Sequence, residues 1–154
     1  MKHPVARFAM KLRTVSWVML TVLGAFVLLV SFVSAYRAYG GNYAIGGTAV
    51  GAVAAGRPEV LLALRGIRGT SAAYAAAYAV LFLSIVLGPY RRGETWAWWS
   101  LLGALVLPCV LVVLRVPLLG AHLGVAPALN QCGIGVTALL LDVSRLRSAP
   151  ASPH

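Results

Sequence analysis

Gly88-Pro89-Tyr90-Arg91-Arg92-Gly93-Glu94-Thr95-Trp96-Ala97-Trp98-Trp99 separates two long apolar runs that carry no charge. Glycine and proline are expected to stop one helix, the charged residues hold the turn in water, and the tryptophans mark the level at which the next helix enters the headgroup layer. Such a stretch makes sense as the tip of a transmembrane hairpin. The fold follows from that hairpin and from what flanks it.

Composition agrees with the hairpin. The 154-residue chain is 60% hydrophobic and 10% charged, with a mean hydropathy of +0.87, whereas a soluble domain is about a quarter charged. Its surface must face hydrocarbon. A span needs about 20 residues to cross ~30 Å at 1.5 Å per residue, so the chain has room for four. The expected fold is all-α, a transmembrane four-helix bundle in a single membrane domain, with spans at about 17–36, 70–88, 96–114 and 125–142.

Thirteen basic residues against three acids give a net charge of +10. The basic residues lie mostly between the apolar runs, so membrane lipids with anionic heads explain them better than nucleic acid does. Nucleic acid is therefore not expected as a partner. Residues 1–14 carry Lys2, Arg7, Lys11 and Arg13 without an acid. The apolar run after them is longer than a signal-peptide core, which predicts a retained cytoplasmic tail. Four spans then place both termini on the side of the Arg91-Arg92 turn, which the positive-inside rule makes cytoplasmic.

Between the first two spans, residues 40–56 are rich in glycine and alanine. A loop, an extra short interfacial helix and a shallow re-entrant segment are all compatible with that composition. Pro58 followed by Glu59 reads as a helix start, with Arg65 and Arg68 on one face three residues apart and Gly66 and Gly69 able to interrupt or tilt the helix. Pro108 lies inside the third span and should kink it. Arg115, Pro117, Gly120 and His122 read as the turn into the fourth.

Two polar zones are candidates for function. The outer one comprises Ser71, Tyr74 and Tyr78 on the second span and Asn130 and Gln131 on the fourth, with Arg65, Arg68 and Arg115 at its mouth. An amide at the depth of Asn130 needs a partner in hydrocarbon, either a neighbouring helix or a lipophilic molecule with a polar end. The inner zone comprises Arg91, Arg92, Glu94, the indoles including Trp96, and Asp142 with Arg145. Glu94 there is read as capping its helix and pairing with an arginine. Alternatively, Glu94 or Asp142 shuttles a proton. Cys109 and Cys132 fall at similar depths on neighbouring helices, close enough to touch or to pair. No nucleotide-binding, zinc-protease or Cys-x-x-Cys motif is present. His3, His122 and His154 are scattered, so no metal or other cofactor is expected.

The run Tyr90–Trp99 resembles the hairpin of small bacterial four-helix integral membrane proteins of uncertain function. Leu64-Arg65-Gly66-Ile67-Arg68-Gly69 looks like the start of the second helix in DoxX-like and related uncharacterised membrane families. This resemblance implies a bundle in the bacterial inner membrane and no particular activity. Three classes of function stay open: a bundle binding a lipophilic small molecule, a membrane-embedded enzyme with acid/base chemistry on a lipid, isoprenoid or polyketide-like substrate, and an accessory subunit. The last would use its small-residue faces to pair with a second copy or another membrane protein.

Overall fold

The computed structural model describes residues 4–41, 43–120 and 122–147. Lys2, His3 and His154 lie outside the described residues, as do the side chains of Arg7, Arg145 and Arg147. The order of elements is α1 (Pro4–Gly40), β1 (Ala44–Ile45), β2 (Thr48–Ala49), α2 (Val50–Val53), α3 (Pro58–Ile85), a π-helical turn (Val86–Tyr90), α4 (Thr95–Leu119), α5 (Val125–Leu141) and α6 (Ser144–Arg147).

Three of these segments are long and apolar enough to cross a membrane: Met10–Gly40, Pro58–Tyr90 and Thr95–Leu119. Val22, Phe26, Leu29 and Phe32 on α1 and Leu107, Leu111, Leu114 and Leu118 on α4 are exposed. Apolar surface on that scale is stable only against lipid or another apolar surface. Inside lipid the backbone must satisfy itself, which is why these runs are helices. The protein is an all-α, multi-pass membrane protein. It differs from a simple four-helix design in that α5 is only 17 residues long and two four-residue helices, α2 and α6, are added.

The chain forms two compact units, one of residues 1–23 with 82–154 and one of residues 24–81. In the first, α4 packs along α5. Leu101 and Leu105 of α4 and Ala138 and Leu139 of α5 are buried. Gly135 allows the close approach, because a Cβ there would meet Leu105 Cδ1 at 2.5 Å. Trp98, 5% exposed, donates its indole N–H to the Leu139 carbonyl at 3.0 Å. That carbonyl lies in the last turn of α5 and has no partner in its own helix beyond the chain turning at Asp142, whose N–H it also accepts at 3.1 Å. Trp98 thus faces inward as a helix cap, not outward as an interfacial anchor, while Trp96 and Trp99 stay exposed.

Gly88 and Pro89 do not end the second long helix. Proline lacks the N–H for an i→i−4 bond and its ring crowds the carbonyl four residues back. The chain relaxes that conflict by widening into the π turn around Pro89, then resumes helix at Arg91 and Arg92. The stop comes at Gly93, whose φ of +98° glycine alone adopts freely. Pro117 is likewise carried inside α4, which ends one residue before Gly120, a left-handed C-cap with φ +62°.

In the second unit, residues 40–56 are neither wholly loop nor re-entrant helix. They form an antiparallel hairpin pairing Ala44 with Ala49 and Ile45 with Thr48. Gly46 and Gly47 both have positive φ, as a two-residue type I′ turn demands. The single turn α2 follows, tied back by Val50 N–H to the Tyr43 carbonyl at 2.9 Å. Pro58 opens α3 as the sequence predicts, and α3 then runs without a break through Gly66 and Gly69. Gly69 lies against the Tyr39 ring, where a Cβ would sit 2.5 Å from the phenol oxygen. The core of this unit is small: Ser31, Ala38, Tyr43, Val50, Ala54, Ala72 and Ala79.

Candidate functional site

Within the first unit, α1 presents Met10, Arg13, Thr14 and Trp17 at the i, i+3, i+4, i+7 spacing of one helix face. Together with Tyr90 and Arg91 they line a groove of about 390 Å³. Met10 and Thr14 also border an adjoining concavity of about 350 Å³ with Lys11 and Val15.

The groove is locked from beneath. Ser16 and Tyr90, both fully buried, share a hydroxyl–hydroxyl hydrogen bond of 2.6 Å, which fixes the π turn against α1. Arg13 Nη2 donates to the Arg91 carbonyl at 2.8 Å. A Cβ at Gly93 would lie 2.8 Å from the same Nη2, so glycine there serves both the turn and the arginine. The Arg91 guanidinium stacks over the Trp17 ring at 5.2 Å, a cation–π contact. The Trp17 indole nitrogen is buried with no hydrogen-bond partner.

The electrostatics are one-sided. Lys11, Arg13 and Arg91 surround the two concavities, and no carboxylate lines either. Glu94, close by in sequence, is engaged elsewhere. Its Oε1 accepts from Arg92 Nε at 2.9 Å and its Oε2 from Trp96 Nε1 at 2.6 Å. Glu94 occupies the N-cap of α4 but makes no side-chain cap bond, because both carboxylate oxygens turn back to Arg92 and Trp96. Pairing with an arginine is therefore found and capping is not. Two arginines lining one groove without an acid, with an unsatisfied indole N–H between them in the lining, form an acceptor-seeking surface.

The residues singled out in the sequence are distributed differently. Arg65, Arg68, Tyr74 and Tyr78 belong to the unit of residues 24–81, and Asn130, Gln131, Trp96, Glu94 and Asp142 to the other. Tyr74 is exposed, Asn130 is exposed, and Tyr78 and Gln131 are half-buried. Ser71 bonds back to the Ile67 carbonyl at 2.8 Å, a local helical bond. Asp142 is buried at the end of α5. Cys109 on α4 and Cys132 on α5 are free, half-buried thiols. Among the described residues no group of three His, Cys, Asp or Glu side chains converges.

Met10, Arg13, Thr14 and Tyr90 were not among the candidates drawn from the sequence, whereas Trp17 and Arg91 belong to its inner zone. The 10-13-14-17 stripe is a readable signal. Its partnership with Tyr90 is not, since that depends on the π turn. Comparison with family models, curated proteins and solved structures gives no match. None of them bears on the resemblance drawn from the hairpin.

Proposed function

We propose that this is a small integral membrane protein that holds the anionic head of a lipophilic molecule in the Arg13–Trp17–Arg91 groove. This keeps the class expected from the sequence, an amphiphile with a polar end, and moves its head from the tyrosine–asparagine zone to the basic–aromatic one. The observation that carries it is the pair of guanidiniums, unopposed by a carboxylate, beside the partnerless indole N–H of Trp17. The head accepts charge-assisted hydrogen bonds from the arginines, and the acyl part lies along the exposed apolar face that α1 continues from Val18 and Val22.

In this reading α5, at about 25 Å of rise, completes a fourth crossing. The groove then faces the cytoplasmic side with both termini, as the concentration of arginines there favours, in a membrane of bacterial inner-membrane type. A subunit role is the second reading. It is favoured by the exposed Asn130 on apolar α5, since an amide facing hydrocarbon is costly unless a second copy or another helix covers it. Glu94 and Asp142 lend the enzymatic alternative little, one being tied to Arg92 and Trp96 and the other buried.

The test is quenching of tryptophan fluorescence by brominated lipids in neutral detergent. Brominated phosphatidylglycerol should quench at lower concentration than brominated phosphatidylcholine, and Arg13→Gln/Arg91→Gln should abolish that preference. Trp17→Phe should remove the difference between the two lipids and leave the common quenching of the exposed Trp96 and Trp99. Equal quenching by both lipids in the unmodified protein would rule the reading out.

A further inference from the structure

We infer that the unit of residues 24–81 carries a second anion site, built from Arg65, Arg68 and Tyr43, which takes a phosphate group. Tyr43 is 7% exposed, yet its hydroxyl is buried without a hydrogen-bond partner. Arg65 and Arg68 are half-buried, and the Nε of each is likewise buried and unpartnered. The Arg68 guanidinium lies over the Tyr43 ring at 4.3 Å, so ring and cation share one locus. Arg65 is one turn earlier on the same face of α3.

Three buried donors without acceptors in one small unit, two of them in contact and the third one turn away on the same helix face, are rare, because each forfeits its bonds to water and gains nothing in return. The cation–π contact offsets part of that loss for Arg68 and does nothing for the Nε protons or the phenol. No carboxylate answers the charge either. This unit holds Arg37, Arg57, Arg65 and Arg68 against Glu59 alone, and the ion pair found among the described residues joins Arg92 to Glu94 in the other unit. Donors arriving from two different elements, the segment after α1 and the first half of α3, suit a tetrahedral oxyanion with three or more free oxygens better than a planar carboxylate. The hairpin and α2 hold Tyr43 in place through the Val50 N–H to Tyr43 carbonyl bond.

The phosphate could belong to a lipid head or be free in solution, and the experiment separates the two. The full chain in dodecyl maltoside and phosphate-free buffer is melted with increasing inorganic phosphate, with phosphatidic acid in mixed micelles, and with phosphatidylcholine as control. At least one of the first two should raise the unfolding midpoint. Inorganic phosphate doing so identifies a free-phosphate site, and phosphatidic acid alone doing so identifies a lipid site.

Arg65→Gln/Arg68→Gln should raise the half-saturating concentration about ten-fold or more, the loss expected for charge-assisted bonds. Tyr43→Phe, which keeps the ring under Arg68, should raise it about five-fold, as for one neutral hydrogen bond. If the double glutamine variant does not fold, Arg68→Lys and Tyr43→Phe decide, and an unchanged half-saturation in both overturns the site. It is also overturned if neither phosphate probe moves the midpoint, or if the shift survives undiminished in Arg65→Gln/Arg68→Gln. Arg13→Gln/Arg91→Gln should leave the shift intact. A shift lost there and kept in the Arg65/Arg68 variant would assign it to the groove of the first unit instead.

Discussion

Breaking the Ser16–Tyr90 hydrogen bond should destabilise the first unit by an amount that a double-mutant cycle can isolate. Both side chains are fully buried and their oxygens lie 2.6 Å apart, a short distance even for O–H···O. Side-chain hydrogen bonds between membrane helices average about 0.6 kcal/mol in such cycles and reach about 1.7. With short geometry and complete burial, the coupling for Ser16→Ala and Tyr90→Phe should lie towards the upper end, about 1 to 1.5 kcal/mol. At that size the ratio of folded to unfolded protein changes roughly five- to thirteen-fold. Each single variant leaves one hydroxyl behind. The Ser16 hydroxyl in Tyr90→Phe can turn to a carbonyl one helical turn back, so the double variant, not either single one, is the informative member. Unfolding in mixed micelles by increasing sodium dodecyl sulfate, followed by far-UV circular dichroism, gives the four stabilities. A coupling below about 0.3 kcal/mol, the level at which independent sites add, would refute the idea that this bond fixes the π turn on α1.

Three more outcomes are expected. Gly69→Ala places a methyl against the Tyr39 ring, with Cβ 2.5 Å from the phenol oxygen, but Tyr39 is 69% exposed and its ring can swing aside, so the substitution should cost less than about 1 kcal/mol once the helix preference for alanine over glycine is counted; Gly66→Ala, with nothing within 4 Å, should not destabilise, and the same denaturation assay compares them. Trp98→Phe removes the bond to the Leu139 carbonyl and part of a buried ring, with an expected loss of about 2 to 3 kcal/mol, read by the same unfolding titration and by the drop in tryptophan emission. Cys109 and Cys132, free thiols on the packed helices α4 and α5, should be bridged by one equivalent of mercuric ion, so that thiol labelling in denaturant falls from two groups to none; retention of both thiols at that ratio would place them out of reach of each other.

The long helices were legible in the sequence because hydrocarbon leaves an apolar run almost no alternative to a helix. The start of α3 at Pro58 was legible for a local reason, the fit of proline to a first turn. What failed were the inferences that took Gly and Pro as stops. Pro89 and Pro117 both lie within continuing helix, Pro89 because the chain widens into a π turn around it and Pro117 because it falls in the last turn of α4, two residues before the helix ends at Leu119. The fates of the tryptophans were equally unreadable. Trp96, Trp98 and Trp99 lie within four residues, yet Trp98 alone turns inward to cap α5, a choice made by a carbonyl 41 residues away. The basic–aromatic groove was half visible, in its stripe on α1. Its other half exists only because Tyr90 reaches Ser16 across 74 residues of chain.

The widened turn at Pro89 also acts as a phase shifter. Each residue of an α-helix advances the direction of its side chain by about 100°, so accommodating one residue more per turn resets the azimuth of everything that follows. Deleting a single residue between Val86 and Gly88 would barely alter the length of the helix, yet it would swing Arg91 roughly a quarter-turn away from Trp17. Length-neutral substitutions should therefore be tolerated across this turn far better than any one-residue insertion or deletion.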